Sequence, residues 1–223
     1  MATKKVTSLE VAKLAGVSQS AVSRVFTPGA SASKKTGEKV RKAAMELGYR
    51  PNVLARSLIT GRSRIIGLVV ANLDNYFYPE ALELISNALQ KKGYHVLVFM
   101  ASKTAGSIDD VVDEILDYQV DGIILASVAM SSSLASRCTS AGVPVILFNR
   151  SQDDDSFSAI TSDNILGGQK VARFLIAGGH KRIGYIAGWE GASTQRDRET
   201  GFVEELKQHG MSLHAREVGN FIQ

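Results

Sequence analysis

From residue 65 onward, short apolar runs rich in β-branched residues alternate with stretches whose apolar positions recur at helical spacing. The strand-like runs are Ile65 to Ala71, His95 to Met100, Asp121 to Ala126, Val143 to Phe148, Phe157 to Thr161 and Arg182 to Ala187. Between them, Phe77 to Lys92, Ile108 to Tyr118, Ser131 to Ala141, Asp163 to Ala177 and Thr194 to His209 read as amphipathic helices. Gly93, Gly122, Gly142 and Gly179 punctuate the ends, where helix C-caps and tight turns into strands are expected. Strand and helix in strict alternation predict a parallel sheet with helices on both faces.

The first 64 residues show no strand pattern and predict four short helices. Thr7-Ser8-Leu9-Glu10 is a capping-box sequence that starts a helix over roughly 8 to 15. Gly16 supplies the positive φ of a tight turn, Val17 fills the angle between helices, and Ser18 caps a second helix reaching Phe26. Pro28-Gly29 ends it. Ser33 caps a third helix with apolar Val40, Ala43, Ala44 and Leu47, which Gly48 stops. Arg50-Pro51-Asn52 opens a fourth through about Leu58, and Thr60-Gly61-Arg62-Ser63-Arg64 is a polar linker, so a domain boundary is expected near residue 61.

Charge sharpens this division. Residues 1 to 64 hold 13 basic and 3 acidic residues, a net +10, whereas residues 65 to 223 carry a net −6. Positive charge concentrated on a short segment can neutralise phosphates, which makes the head a nucleic-acid candidate; a solvated basic face without a partner is the alternative. A single cysteine, Cys138, excludes a disulfide framework and a cysteine-built zinc site, and fits a reducing cytosol. The longest apolar run, Ile65 to Ala71, falls far below the ~18 residues of a membrane span, and no apolar run follows the first lysines as in a signal peptide.

Two short helices joined by a glycine-containing turn, followed by a third packing helix in a basic segment, describe a helix-turn-helix. The second helix leaves Gln19, Ser20, Ser23 and Arg24 on its polar face. Glutamine can pair with adenine and arginine with guanine in the major groove, while serine hydroxyls suit phosphates or bases. A helical bundle using the same turn for packing alone is the competing explanation.

The segments VTSLEVAKLAGVSQSAVSRVF, KKTGEKVRKAAMELGYRPNVLARSL and IIGLVV, in that order, resemble the lactose-repressor (LacI/GalR) family of bacterial transcription regulators. HKRIGYIAG and RDRETGF resemble that family's effector domain, so the likeness spans the chain. It implies an all-α helix-turn-helix head over 1–50, a hinge helix and linker over 51–64, and an α/β parallel-sheet effector domain of periplasmic-binding-protein type over 65–223. That domain would comprise a first lobe, 65–160, and part of a second, 161–223. By resemblance, Gln19, Ser20 and Arg24 occupy base-reading positions, and Thr7, Ser18, Ser23, Thr36 and Asn52 contact the DNA backbone. The segment Pro51 to Leu58, including Ala55, resembles the hinge helix that folds on operator and enters the minor groove as a pair. Leu58 corresponds to the leucine wedged into the central base step, unless it is an ordinary linker leucine. Thr27-Pro28-Gly29 and Gly37 depart from the family pattern; Gly37 weakens its helix by about 0.5 to 1 kcal/mol relative to alanine.

Ligands of open α/β sheets bind beyond the carboxyl ends of strands, here Asn75 to Tyr78, Ser127, Asn149-Arg150 and Trp189. Aromatics with amides and arginines suit a sugar or another small polar metabolite. The resemblance singles out Phe77, Tyr78, Asn149 and Arg198 as effector contacts. Helix packing is the alternative for the two aromatics, and a salt bridge to Asp197 or Glu199 for Arg198. Enzyme signatures are missing: no G-x-G-x-x-G follows the first strand, no G-x-x-x-x-G-K-[ST] occurs, and His95, His180, His209 and His214 lack metal-ligand spacing. The sequon Asn149-Arg150-Ser151 and the S-x-x-K match at Ser31 are taken as coincidental.

The expectation is therefore a sequence-specific DNA-binding transcription regulator, a repressor, controlled by a small-molecule effector such as a sugar. Its partners would be double-stranded operator DNA with two-fold related half-sites, the effector, and a second copy in a homodimer. No cofactor, metal or membrane is expected, and the location would be cytoplasmic and nucleoid-associated. A periplasmic-type sugar-binding module with an incidental basic head and a Rossmann-like enzyme are the competitors. The resemblance also implies further strand and helix units after Gly219-Asn220-Phe221, so the chain is expected to be a fragment or a degenerate member that binds effector weakly or not at all.

Overall fold

The computed structural model describes residues 6–27, 29–51, 61–71, 73, 76–101, 108–128, 132–152 and 157–219, with backbone alone at 109, 132 and 133. Two compact units divide the chain, Met1–Gly61 and Arg62–Gln223.

In the first unit, α1 (Ser8–Ala15), α2 (Gln19–Phe26) and α3 (Lys34–Leu47) form a small bundle. The capping box is complete: Glu10 N–H donates to Thr7 Oγ1 at 3.4 Å, and Thr7 N–H donates to Glu10 Oε2 at 2.7 Å. Gly16, at φ 64°, closes α1 in the left-handed conformation, which costs a glycine nothing sterically. Ser18 and Ser33 cap α2 and α3 through the amides of Ala21 and Thr36. Val11, Ala12, Ala15, Val22, Val40, Ala43 and Ala44 are buried, with Val17, Leu47, Phe26 and Tyr49 packed around them. Four alanines among seven buried side chains let the helices approach closely and turn the polar face of α2 outward.

In the second unit, β1 (Ile65–Val70), β2 (His95–Met100), β3 (Gly122–Ala126), β4 (Val145–Phe148) and β5 (Ser158–Ile160) form a parallel sheet ordered β2-β1-β3-β4-β5. The helices α4 (Phe77–Lys91), α5 (Ile108–Asp117) and α6 (Ser132–Ser140) cover its two faces. Strand alternation sorts the core. Val69, Ile123, Leu125, Val145 and Leu147 pack with Ile115 of α5 and Leu134 of α6. Leu68, Val70 and Ala126 pack with Tyr78 and Leu82 of α4. Gly67 lies on the first of these faces, where a Cβ would stand 2.8 Å from the Ile115 side chain. Asp121 anchors the entry to β1, accepting the Ser63 N–H at 2.8 Å, its hydroxyl at 3.0 Å and the Arg64 N–H at 3.1 Å.

The chain then forms α7 (Asn164–Ala177), β6 (Gly184–Ala187), α8 (Ser193–Gln208) and β7 (Ala215–Val218), with β6 and β7 paired in parallel. Ala172, Ile183, Phe202 and Leu206 make its core. The α7 and α8 backbones touch at two glycines: a Cβ on Gly201 would collide with the Ile165 carbonyl, and one on Gly168 with the Arg198 carbonyl. Glu205, 2% exposed, pairs with Arg173 at 2.8 Å.

The parallel sheet with helices on both faces agrees with the pattern in the sequence, with two differences. Gly122 does not end an element but begins β3, pairing with Ile66 of β1. The strand β7 has no counterpart in that pattern, because Ala215-Arg216-Glu217-Val218 is exposed throughout and carries no apolar alternation. The expected hinge helix over 51–58 falls outside the described residues beyond Pro51.

Candidate nucleic-acid interface and ligand cleft

Helix α2 begins immediately after the Gly16 turn, and its packing on Val22 leaves Ser18, Gln19, Ser20, Ser23 and Arg24 exposed. Gln19 Nε2 donates to Ser8 Oγ at 2.9 Å, tying the start of α2 to the first turn of α1. Ser18 and Ser20 hydroxyls are hydrogen-bonded at 2.9 Å. Arg24 leans back along its helix, Nε donating to the Ser20 carbonyl at 3.4 Å, which leaves its terminal nitrogens toward solvent. The Ser23 carbonyl accepts from Thr27 Oγ1 at 2.9 Å.

Thr7, Ser18 and Thr36 sit at the amino ends of α1, α2 and α3. Helix amino ends carry partial positive charge and free N–H groups, which favour phosphate. Thr7 Oγ1 donates to Glu10 Oε2 at 2.9 Å, and Thr36 shares a 2.8 Å hydrogen bond with Ser33. Each of these two hydroxyls is thus engaged in an internal hydrogen bond. Ser8, which holds Gln19, was not singled out in the sequence, whereas Ser33, expected as the cap of α3, also holds the Thr36 hydroxyl. Asn52, Ala55 and Leu58 lie outside the described residues.

In the second unit, strand order reverses between β1 and β3, and such switch points open a crevice at the strands' carboxyl ends. Two residues there adopt positive φ without being glycine, Ser127 at 60° and Asn149 at 58°. Such backbone strain clusters at ligand sites. Asn149 N–H donates to the Ile160 carbonyl, and Asn149 Nδ2 donates to Tyr78 Oη at 2.8 Å. Tyr78 is buried in the core beneath α4, so its ring packs and only its hydroxyl reaches the crevice chemistry. Phe77, 46% exposed, stacks on Phe148 with centroids 6.0 Å apart and planes 5° from parallel. It therefore offers a ring face at the crevice mouth.

Arg198 makes no salt bridge to Asp197 or Glu199; its Nε donates to Asn164 Oδ1 at 2.8 Å, and Glu199 is taken by Arg216. Arg150 crosses toward α8, its terminal nitrogen donating at 3.0 Å to the Asn149 carbonyl and to Thr194 Oγ1. Beside it, Ser151 N–H donates to Ser193 Oγ at 2.9 Å. Burial pushes the Arg150 guanidinium below its ordinary value, and the nearby Arg198 charge adds to the effect. Phe77, Tyr78, Asn149, Arg150, Thr194 and Arg198 thus gather where the two lobes meet. Asn164, Ser193 and Thr194 were missed in the sequence, although a Ser-Thr pair opening a helix just beyond a strand end was a usable signal. Among the described residues no group of three or more His, Cys, Asp or Glu could hold a metal, and no helix is long and apolar enough to cross a membrane.

This pairing of a helix-turn-helix with a two-lobed parallel α/β unit has counterparts. Residues 7–52 match the bacterial regulatory proteins of the lacI family, and residues 63–221 match the periplasmic binding proteins and sugar binding domain of the LacI family. The chain belongs to the LacI family. The maltose regulon regulatory protein MalI of Escherichia coli is 34% identical over 95% of the chain and 62% of its own length. The sucrose operon repressor of Klebsiella pneumoniae is 31% identical over 99% of the chain and 66% of its own. Among solved structures, the Lac repressor dimer bound to operator and the anti-inducer ONPF superposes with a TM-score of 0.85 at 28% identity, covering 98% of this chain and 66% of that one. A CelR–cellobiose complex gives a TM-score of 0.65 at 29% identity, covering 97% of this chain and 66% of that one. The chain thus spans about two thirds of the length of these LacI-family relatives, whose names describe regulators rather than enzymes.

Proposed function

We propose that this LacI-family chain is a sequence-specific DNA-binding transcription regulator, a repressor, controlled by a small sugar-like effector. The observation that carries the proposal is the exposed polar face of α2, Gln19, Ser20, Ser23 and Arg24, presented by a capped helix-turn-helix inside a segment of net +10. Gln19, Ser20 and Arg24 read base edges, while Thr7, Ser18, Ser23 and Thr36 take phosphates. Asn52, Ala55 and Leu58 of the hinge segment complete the DNA-contacting set. The functional division is a head over 1–50, a hinge and linker over 51–64 and an effector domain over 65–223, acting in the bacterial cytoplasm on the nucleoid.

Phe77, Tyr78, Asn149 and Arg198 serve the effector, Phe77 as a stacking face and the others through polar groups. A homodimer on a two-fold operator is favoured because one short helix reads only a few base pairs. The apolar side chains of Leu84 on α4 and Val98 and Met100 on β2, each more than 40% exposed, offer a surface for the second copy. Selection of duplexes from a random pool by this chain, with competitor DNA present, tests the proposal. A two-fold related motif is the expected product; recovery of unrelated sequences contradicts it.

A further inference from the structure

We propose that the crevice selects an effector bearing an anionic group, a phosphorylated or carboxylated sugar, and that Arg150 receives its charge. This rests on the reading of the second unit as an effector domain and narrows the class of ligand it takes. Arg150 is half-buried, yet among the described residues its hydrogen bonds go to neutral oxygens, the Asn149 carbonyl and Thr194 Oγ1. Its Nε is buried and has no partner. No carboxylate pairs with it among the described residues, and a second guanidinium, Arg198, lies close enough to act on it. A cation withdrawn from water without a counter-ion is costly, and a buried donor left unmade adds to that cost. An anion arriving from solution relieves both.

The surroundings suit such an anion. Helix α8 has no side-chain cap at Ala192, and the positive end of this 16-residue helix, at Ser193 and Thr194, lies beside Arg150, which donates to Thr194 Oγ1. Arg198, steered by Asn164, supplies a second positive charge. Guanidinium groups bind phosphate and carboxylate through paired N–H groups, whereas a neutral hydroxyl satisfies the hydrogen bonds and leaves the charges in mutual repulsion. Phe77, stacked on Phe148 and 46% exposed, is the aromatic that would face the apolar side of a sugar ring.

The test follows arginine Nε–H resonances of the 223-residue chain, assigned with Arg150→Met and Arg198→Met. The titrants are common hexoses and pentoses, their monophosphates, the corresponding uronates, and inorganic phosphate. Because the readout is a ratio of affinities, it holds for millimolar binding. At least one anionic sugar is expected to bind about tenfold or more tightly than its neutral parent and to shift the Arg150 resonance. In Arg150→Met that preference should fall to near unity, and Arg150→Lys should retain part of it. The phosphate and uronate arms identify the anion. A neutral parent binding as tightly, an unchanged preference in Arg150→Met, or inorganic phosphate binding as well as any sugar phosphate would overturn the inference while leaving the effector site standing. Failure of every sugar, charged or neutral, would contradict the effector reading itself and this inference with it.

Discussion

Arg24 carries the sharpest expectation at the scale of single residues, because its side chain is exposed and, among the described residues, its Nε is engaged by a long bond to the Ser20 carbonyl. Arg24→Ala is expected to relax base preference at one half-site position and to cost about 1 to 3 kcal/mol there, measured by binding to operator variants. Equal loss on operator and random duplex would make it a phosphate contact instead. The polar face was legible because residues 19, 20, 23 and 24 follow helical spacing, and the Thr7–Glu10 box because its signature is local. The Gln19–Ser8 bond was not legible, and the packing of Tyr78 stood only as an alternative, since both depend on the angle at which one helix meets another element. Acid should act on two glutamates. Arg216 holds Glu199 below the usual carboxylate range, and Arg173 does the same for buried Glu205. Groups with lowered folded values add stability above their unfolded value, roughly pH 4.3, and lose it as pH falls through the folded one. Unfolding of this lobe, followed by Trp189 fluorescence, should therefore become easier below about pH 4.3. A Glu199→Gln, Glu205→Gln double variant should flatten that dependence; an unaltered profile would remove these pairs from the account.

Among the elements, two glycines in helices have opposite meanings. Gly37 is buried within α3, but a Cβ there meets only the far end of the Arg41 side chain, at 2.8 Å. That chain can swing away, so Gly37→Ala should stabilise the head by about 0.5 to 1 kcal/mol in urea unfolding. Gly201 faces the Ile165 carbonyl, which is backbone and has little room to move. Gly201→Ala should force α7 and α8 apart, costing about 1 to 3 kcal/mol and displacing Arg198 one turn earlier. Similar small gains at both sites would show that the helices are not in contact at glycine. Helices and buried strands were legible because burial imposes a period on the sequence. The exposed strand β7 carries no such period, and its register against β6 comes only from backbone pairing.

Across the whole molecule, residues 1–64 of net +10 precede residues 65–223 of net −6, so positive charge is concentrated at one end of the sequence. Charge alone would bind any duplex and weaken steeply with salt, whereas base reading leaves a preference that salt does not erase. Titrating the chain with a selected operator duplex and a scrambled one, between about 50 and 200 mM salt, separates the two most directly. The account predicts that both affinities fall with salt while the operator keeps a preference of about 10³ or more, with two chains bound per duplex. Equal affinity for the two duplexes throughout, or saturation at one chain per duplex, would contradict it.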